Sequence, residues 1–145
     1  MTNNSFRERL AELMEERAIN TIALSREIGY SNSVISRWLK KEIYPKLQTI
    51  KALADYFGCS VDYLAGRSET FAFEAGGTEA DFIGRVELLL KEKKVKAYKA
   101  AKDISIDRSL FSKWKNGQSP TLIMLIKLAD YFGCSIDYLI GRSDS

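Results

Sequence analysis

The chain has 145 residues, 46% of them hydrophobic and 28% charged, with 22 basic and 19 acidic side chains and no histidine. That length holds one ordinary domain or two small ones with ample apolar material for a core, and the missing histidine removes the commonest general base and the commonest zinc ligand. No apolar run approaches the ~20 residues of a bilayer crossing, and the start, MTNNSFRERL, lacks the basic and apolar regions of a secretory signal, so a cytoplasmic protein is expected.

With only two prolines, and Leu, Ala, Lys and Glu spread throughout, the chain reads as all-α. Phe6, Leu10, Leu13 and Met14 have the spacing of one helical face and predict a first helix. Asn20 is a good N-cap for a second helix over about 21–28, which Gly29 ends by supplying a left-handed turn. Ser31 stands where a cap belongs and NSVISRWLK follows as the third helix. After KEIYP a fourth helix, LQTIKALADYF, stops at Gly58, and Ser60 caps a short fifth helix, VDYLAG.

The pattern then recurs. DYFGCSVDYLAGRS at 55–68 returns as DYFGCSIDYLIGRS at 130–143, with Val61 and Ala65 enlarged to Ile136 and Ile140. Phe6 matches Phe82 and Trp38 matches Trp114 at an offset of 76, but Pro45 matches Pro120 at 75. One residue is therefore missing from the second copy between Trp114 and Pro120, where a loop tolerates the change. The second copy opens on Phe82, Val86, Leu89 and Leu90, and Asp107, Thr121 and Ser135 are its expected caps for the third, fourth and fifth helices. Cys59 and Cys134 occupy matching places, form no CxxC pair, and are read as small buried apolar residues. Trp38 and Trp114 are read as core anchors, and the tyrosines of DYF and DYL as core-edge residues with wet hydroxyls.

Charge divides the chain in three. Residues 1–68 carry a net +2, residues 69–81 carry −4, and residues 82–145 carry +5. The acidic stretch ETFAFEAGGTEAD, with its Gly-Gly pair, reads as a linker between a first domain at 1–68 and a second at 82–145. Phe71 and Phe73 are apolar enough to dock on one of the lobes. Two basic lobes suggest a polyanionic partner.

Two short helices joined by a tight turn, the second with a polar and basic face, make a helix-turn-helix. TIALSREIGYSNSVISRWLKK at 21–41 and AYKAAKDISIDRSLFSKWKNG at 97–117 resemble the Cro/cI-type (XRE) family of regulators. The closing stretches IKALADYFGCSVDYLAGRS and IKLADYFGCSIDYLIGRS resemble the family's last helices. The resemblance covers both lobes and implies two tandem five-helix, lambda-repressor-like domains that bind double-stranded DNA. It implies that Asn32, Ser33, Ser36 and Arg37 reach base edges in the first lobe, and Arg108, Ser109, Ser112 and Lys113 in the second. Arg37 suits a guanine and Asn32 an adenine edge. Thr21, Lys40 and Lys41 are expected at phosphates, as are Lys96, Lys99, Lys115 and Asn116, with Lys102 nearby. The second lobe departs from the family at three places. Lys96 replaces the capping residue, Ala97 the polar first residue of the helix, and Ser105 the turn glycine.

The scaffold positions agree between the copies while the outward ones differ, Asn32 against Arg108 and Arg37 against Lys113. That points to a sequence-specific transcriptional regulator, a repressor by family habit, reading an operator of two unlike half-sites. Such a chain acts as a pseudo-dimer within itself or as a homodimer. The alternative is an antitoxin-like or anti-regulator module in which one lobe mediates assembly. No catalytic motif, metal-ligand cluster, Gly-rich phosphate loop or cofactor signature stands out, so neither an enzyme nor a cofactor is expected.

Overall fold

The structure, a computed structural model, describes residues 5–40, 43–76 and 81–144. The chain divides into two compact units, Met1–Phe73 and Glu74–Ser145. Among the described residues each unit contains five helices and no extended strand.

In the first unit, α1 (Phe6–Glu16), α2 (Thr21–Ile28), α3 (Asn32–Leu39), α4 (Leu47–Phe57) and α5 (Val61–Leu64) follow one another through short turns. The boundaries come from local chemistry. Asn20, Ser31 and Ser60 each accept a backbone N–H from the first turn of the helix they precede. Gly29 and Gly58 close α2 and α4 in the left-handed region, at φ 78° and 72°. The apolar faces then meet in one core. Leu10, Leu24, Ile35, Ile50, Leu53 and Leu64 are completely buried, and Phe6 and Trp38 nearly so.

In the second unit the helices are α6 (Phe82–Lys93), α7 (Ala97–Asp103), α8 (Ser109–Lys115), α9 (Leu122–Phe132) and α10 (Ile136–Leu139). Val86, Leu122, Leu125, Leu128 and Leu139 form its core, with Phe82 and Trp114 at the edge. Ser135 caps α10 as the sequence suggests. Three expectations need correction. Thr121 stands at the N-cap of α9, but its hydroxyl makes no bond to the first turn. The N-cap of α8 is Arg108, one residue later than expected, because the backbone there turns helical before the helix begins. Asp107 nevertheless serves the same end: its carboxylate accepts the N–H of Ser109 at 2.8 Å. Leu89, Leu90 and Cys134 are half-buried rather than buried, whereas Cys59 is buried.

The duplicated stretch has a structural purpose that its sequence does not advertise. Arg9 on α1 is 1% exposed. Its guanidinium donates to the carbonyls of Tyr63 and Ser68 at 3.1 and 3.2 Å, reaches Glu69 at 3.0 Å, and lies 4.0 Å over the Tyr63 ring. Arg85 on α6 does the same to Tyr138 and Ser143, at 2.8 and 3.3 Å, and lies 3.9 Å over the Tyr138 ring. Asp62 pairs with Arg67, and Asp137 with Arg142 at 2.5 Å. Each GRS turn is thus folded back onto the last helix and clamped to the first. The Tyr63 and Tyr138 carbonyls also accept the N–H of Gly66 and Gly141, so the cation matters most for the Ser68 and Ser143 carbonyls, which it keeps from going unpaired. Asp62, Tyr63, Arg67 and Ser68, and their counterparts Asp137, Tyr138, Arg142 and Ser143, are the repeated residues that the clamp uses.

The segment expected to be a linker is partly absorbed by its neighbours. Ser60 donates its N–H to Phe71 O at 2.8 Å and its hydroxyl to Thr70 O at 3.0 Å, and the Phe71 ring meets Tyr63 edge-on at 5.2 Å. Gly76 donates to Arg142 O at 2.8 Å, and a Cβ at this glycine would come within 3.1 Å of the Ser143 backbone. Any larger residue there would require the Ser143 backbone or the Asp144 side chain to give way.

Candidate nucleic-acid interface

In the first unit α2 and α3 pack through their apolar sides. Leu24 on α2 and Ile35 and Trp38 on α3 are buried. Trp38 holds α3 in place from two sides: Phe6 meets it edge-on at 6.4 Å, and Tyr30 lies tilted against it at 5.9 Å. Tyr30 is itself held, accepting a hydrogen bond from Thr49 on α4 at 2.6 Å. Tyr30 is not marked out in the sequence, where its place in the turn resembles that of any exposed loop residue. Its signal was the proximity of a second aromatic to Trp38 across one helix.

With Ile35 and Trp38 turned inward, the opposite side of α3 faces outward. Asn32, Ser33, Arg37 and Lys40 are exposed, and Ser36 is half-buried at the margin. The Ser33 hydroxyl lies 3.1 Å from that of the capping Ser31. Thr21 is half-buried at the start of α2. Lys41 lies outside the described residues.

The second unit repeats this with local differences. Trp114 is buried between Phe82 at 5.5 Å and Phe111 at 5.1 Å, both edge-on. On the other side of α8, Arg108, Ser109, Ser112, Lys113, Lys115 and Asn116 are all exposed. The structure therefore brings Arg108, Ser109, Ser112 and Lys113 together at one surface, as it does their counterparts in the first unit. Arg108 is positioned differently from Asn32, however. Asn32 is the first residue of α3, whereas Arg108 precedes α8. The Ser109 backbone and hydroxyl hold the Asp107 carboxyl below the usual carboxylate range, so an anion caps the start of α8.

The lysines around α7 are not equivalent. Lys96 stands at the N-cap of α7 and makes no side-chain cap bond. Lys99 is 2.5 Å from Asp103, one turn along, and Asp103 also accepts the Tyr131 hydroxyl at 2.7 Å. Lys115 is 3.2 Å from Glu87 on α6. Exposed pairs of this kind contribute only about 0–1 kcal/mol, so a phosphate can displace either carboxylate. Ser105 takes the left-handed conformation of the missing glycine, at φ 59°. The arrangement offers hydrogen-bond donors and cations on two rigid helices, and no helix among the described residues is long and apolar enough to cross a membrane.

Two family matches agree with this geometry. The Cro/C1-type helix-turn-helix DNA-binding domain matches residues 9–67, and a helix-turn-helix domain family matches residues 86–139. No individual curated protein and no solved structure gives a significant match.

Proposed function

For a chain that belongs to the Cro/C1-type (XRE) helix-turn-helix family and carries two copies of its domain, we propose repression of transcription by sequence-specific binding to double-stranded DNA. α3 and α8 enter the major groove, each over one half-site, and the covalent link replaces part of the dimerisation that a single-domain relative needs. Residues 1–68 and 82–145 act as the two readers and 69–81 as their connection.

One observation carries this reading. On both α3 and α8 a tryptophan face is buried, while a cluster of donors and a cation is exposed on the other side. Such a face has little to gain from packing and much to gain from base edges and phosphates. Arg37 is suited to fork onto a guanine, whereas Lys113 presents a single ammonium. Arg108 supplies a second fork where the first lobe has the amide of Asn32. The two half-sites therefore differ in sequence. Thr21, Lys40, Lys41, Lys96, Lys99, Lys115 and Asn116 lie along the flanking phosphates, with Lys99 and Lys115 exchanging their carboxylates for DNA.

The test is selection of bound duplexes from a random pool, with the intact chain and with Arg37→Ala and Lys113→Ala. Two half-sites centred about one helical turn apart are expected, each variant relaxing one of them. Relaxation by Arg37→Ala alone would make the second lobe an assembly domain. No enrichment, with binding lost by physiological salt, would remove the specific-repressor reading and turn attention to a protein partner.

A further inference from the structure

Tyr98, the second residue of α7, is 59% exposed, more than any other large apolar or aromatic side chain among the described residues. Tyr30, Tyr56, Tyr63, Tyr131 and Tyr138 each have a ring, cation or hydrogen-bond partner. Tyr98, like the less exposed Tyr44, has none among the described residues. Its ring is not part of the core, and its hydroxyl does nothing for the fold.

Its neighbours are cationic. Lys102 stands four residues on, which on a helix places it beside Tyr98 on the same face. Lys96 stands two residues before. Both are exposed, and neither has a carboxylate partner among the described residues, unlike Lys99. The first unit carries Ile22 and Arg26 at the corresponding places, and Ile22 is also exposed, at 51%. There the first turn of the helix has a hydroxyl at Thr21. In the second unit that position is Ala97, which has none, and the hydroxyl stands one residue later.

We propose that Tyr98 contacts the DNA backbone in the second half-site, its hydroxyl donating to a phosphate that the Lys102 ammonium also neutralises. The proposal rests on the DNA reading above. The contact is made by side chains, not by the end of this seven-residue helix. A tyrosine hydroxyl is an ordinary phosphate donor, and its ring covers the adjoining sugar. The contact fixes register and carries no base preference. It restores to the second lobe the hydroxyl lost at Ala97.

The experiment uses the full chain and the duplex that it selects itself, with affinity and phosphate-ethylation interference read for wild type and Tyr98→Phe. The variant keeps the ring and removes only the hydroxyl, so its thermal unfolding should match wild type. Binding should weaken by about tenfold, as for loss of a hydrogen bond to a charged group. One ethylation-sensitive phosphate should disappear from the second half-site, with base preference unchanged. Equal binding by both proteins overturns the proposal, as does a changed base preference with all phosphates retained. A change in sedimentation of DNA-free Tyr98→Ala would make the ring a protein contact and overturns it too. If wild type selects no duplex, the DNA reading itself has failed, before any variant is compared.

Discussion

Replacing Arg9 by methionine should destabilise the first unit by about 3–5 kcal/mol, the sum of two charge-assisted hydrogen bonds and a stacked cation less the relief from desolvation. Methionine keeps most of the apolar stem and removes the guanidinium. Two bonds to the Tyr63 and Ser68 carbonyls disappear, each worth about 1.5–3 kcal/mol when the donor is charged. The stacking on Tyr63 adds about 1–2 kcal/mol in a desolvated setting. The ion pair adds little, because the Glu69 side chain is 74% exposed. Against these losses stands relief from burying a cation that is 1% exposed and whose Nε has no partner. A unit of this size has roughly 4–11 kcal/mol in total, so the loss is a large share of it. The assay is urea unfolding of the full chain carrying Trp114→Phe, so that Trp38 alone reports on the first unit. Arg9→Lys should fall between the two, since it keeps the charge and loses the fork. A loss below about 1 kcal/mol for Arg9→Met would refute the clamp, because an ordinary exposed arginine costs no more.

Ser105→Gly should stabilise the second unit by about 1 kcal/mol, because φ 59° costs a side chain that much; thermal unfolding of the two proteins decides it. Phenolate absorbance should show Tyr131 titrating late, since the hydrogen bond to Asp103 and then burial push it up to about 12. Its folded-state pKa lies above the unfolded value of 10.0, so its contribution to stability is full below that value and fades as pH rises through about 12. The Lys99 ammonium and the Tyr131 hydroxyl hold Asp103 low, so its share is present above the ordinary carboxylate range and is lost as pH falls through the lowered value. Asp103→Asn should abolish the late titration.

Helix boundaries were legible wherever a cap or a glycine set them. Asn20, Ser31, Ser60, Ser135, Gly29 and Gly58 act locally, and a local rule needs no knowledge of the rest of the fold. The inward faces of α3 and α8 were legible too, because Trp38 and Trp114 have nowhere else to go. Arg9 and Arg85 were not. At those positions an arginine reads as a surface charge, and only the carbonyls of a turn 53 to 59 residues away explain its burial. The start of α8 was missed by one residue because Asp107 acts on the Ser109 N–H, only two residues on, whereas Ser31 reaches the third residue after it. Carboxylate partners for Lys99 and Lys115 depend on side chains that a one-dimensional pattern does not bring together.

The second lobe breaks the rules of its own motif where positive charge gathers. Lys96 occupies an N-cap without a cap bond, which forfeits about 1 kcal/mol relative to Asn or Ser. A cation there also opposes the partial positive charge of the helix start. The left-handed Lys94 that closes α6, at φ 60°, has a left-handed counterpart in Ala18 of the first unit, at φ 54°, so the lobes differ here at Ser105 alone. Residues 82–145 carry +5 where residues 1–68 carry +2. At Lys96 a helix cap is exchanged for a charge on the side proposed to meet DNA. Lys96→Asn separates the two quantities in one protein. It restores a cap, so the second unit should gain about 1 kcal/mol. It also removes a phosphate partner, so affinity should fall and the slope of log affinity against log salt should shrink by about 1. Opposite signs are the signature of the exchange. If unfolding and DNA binding move in the same direction, Lys96 is not where charge is held at the expense of stability.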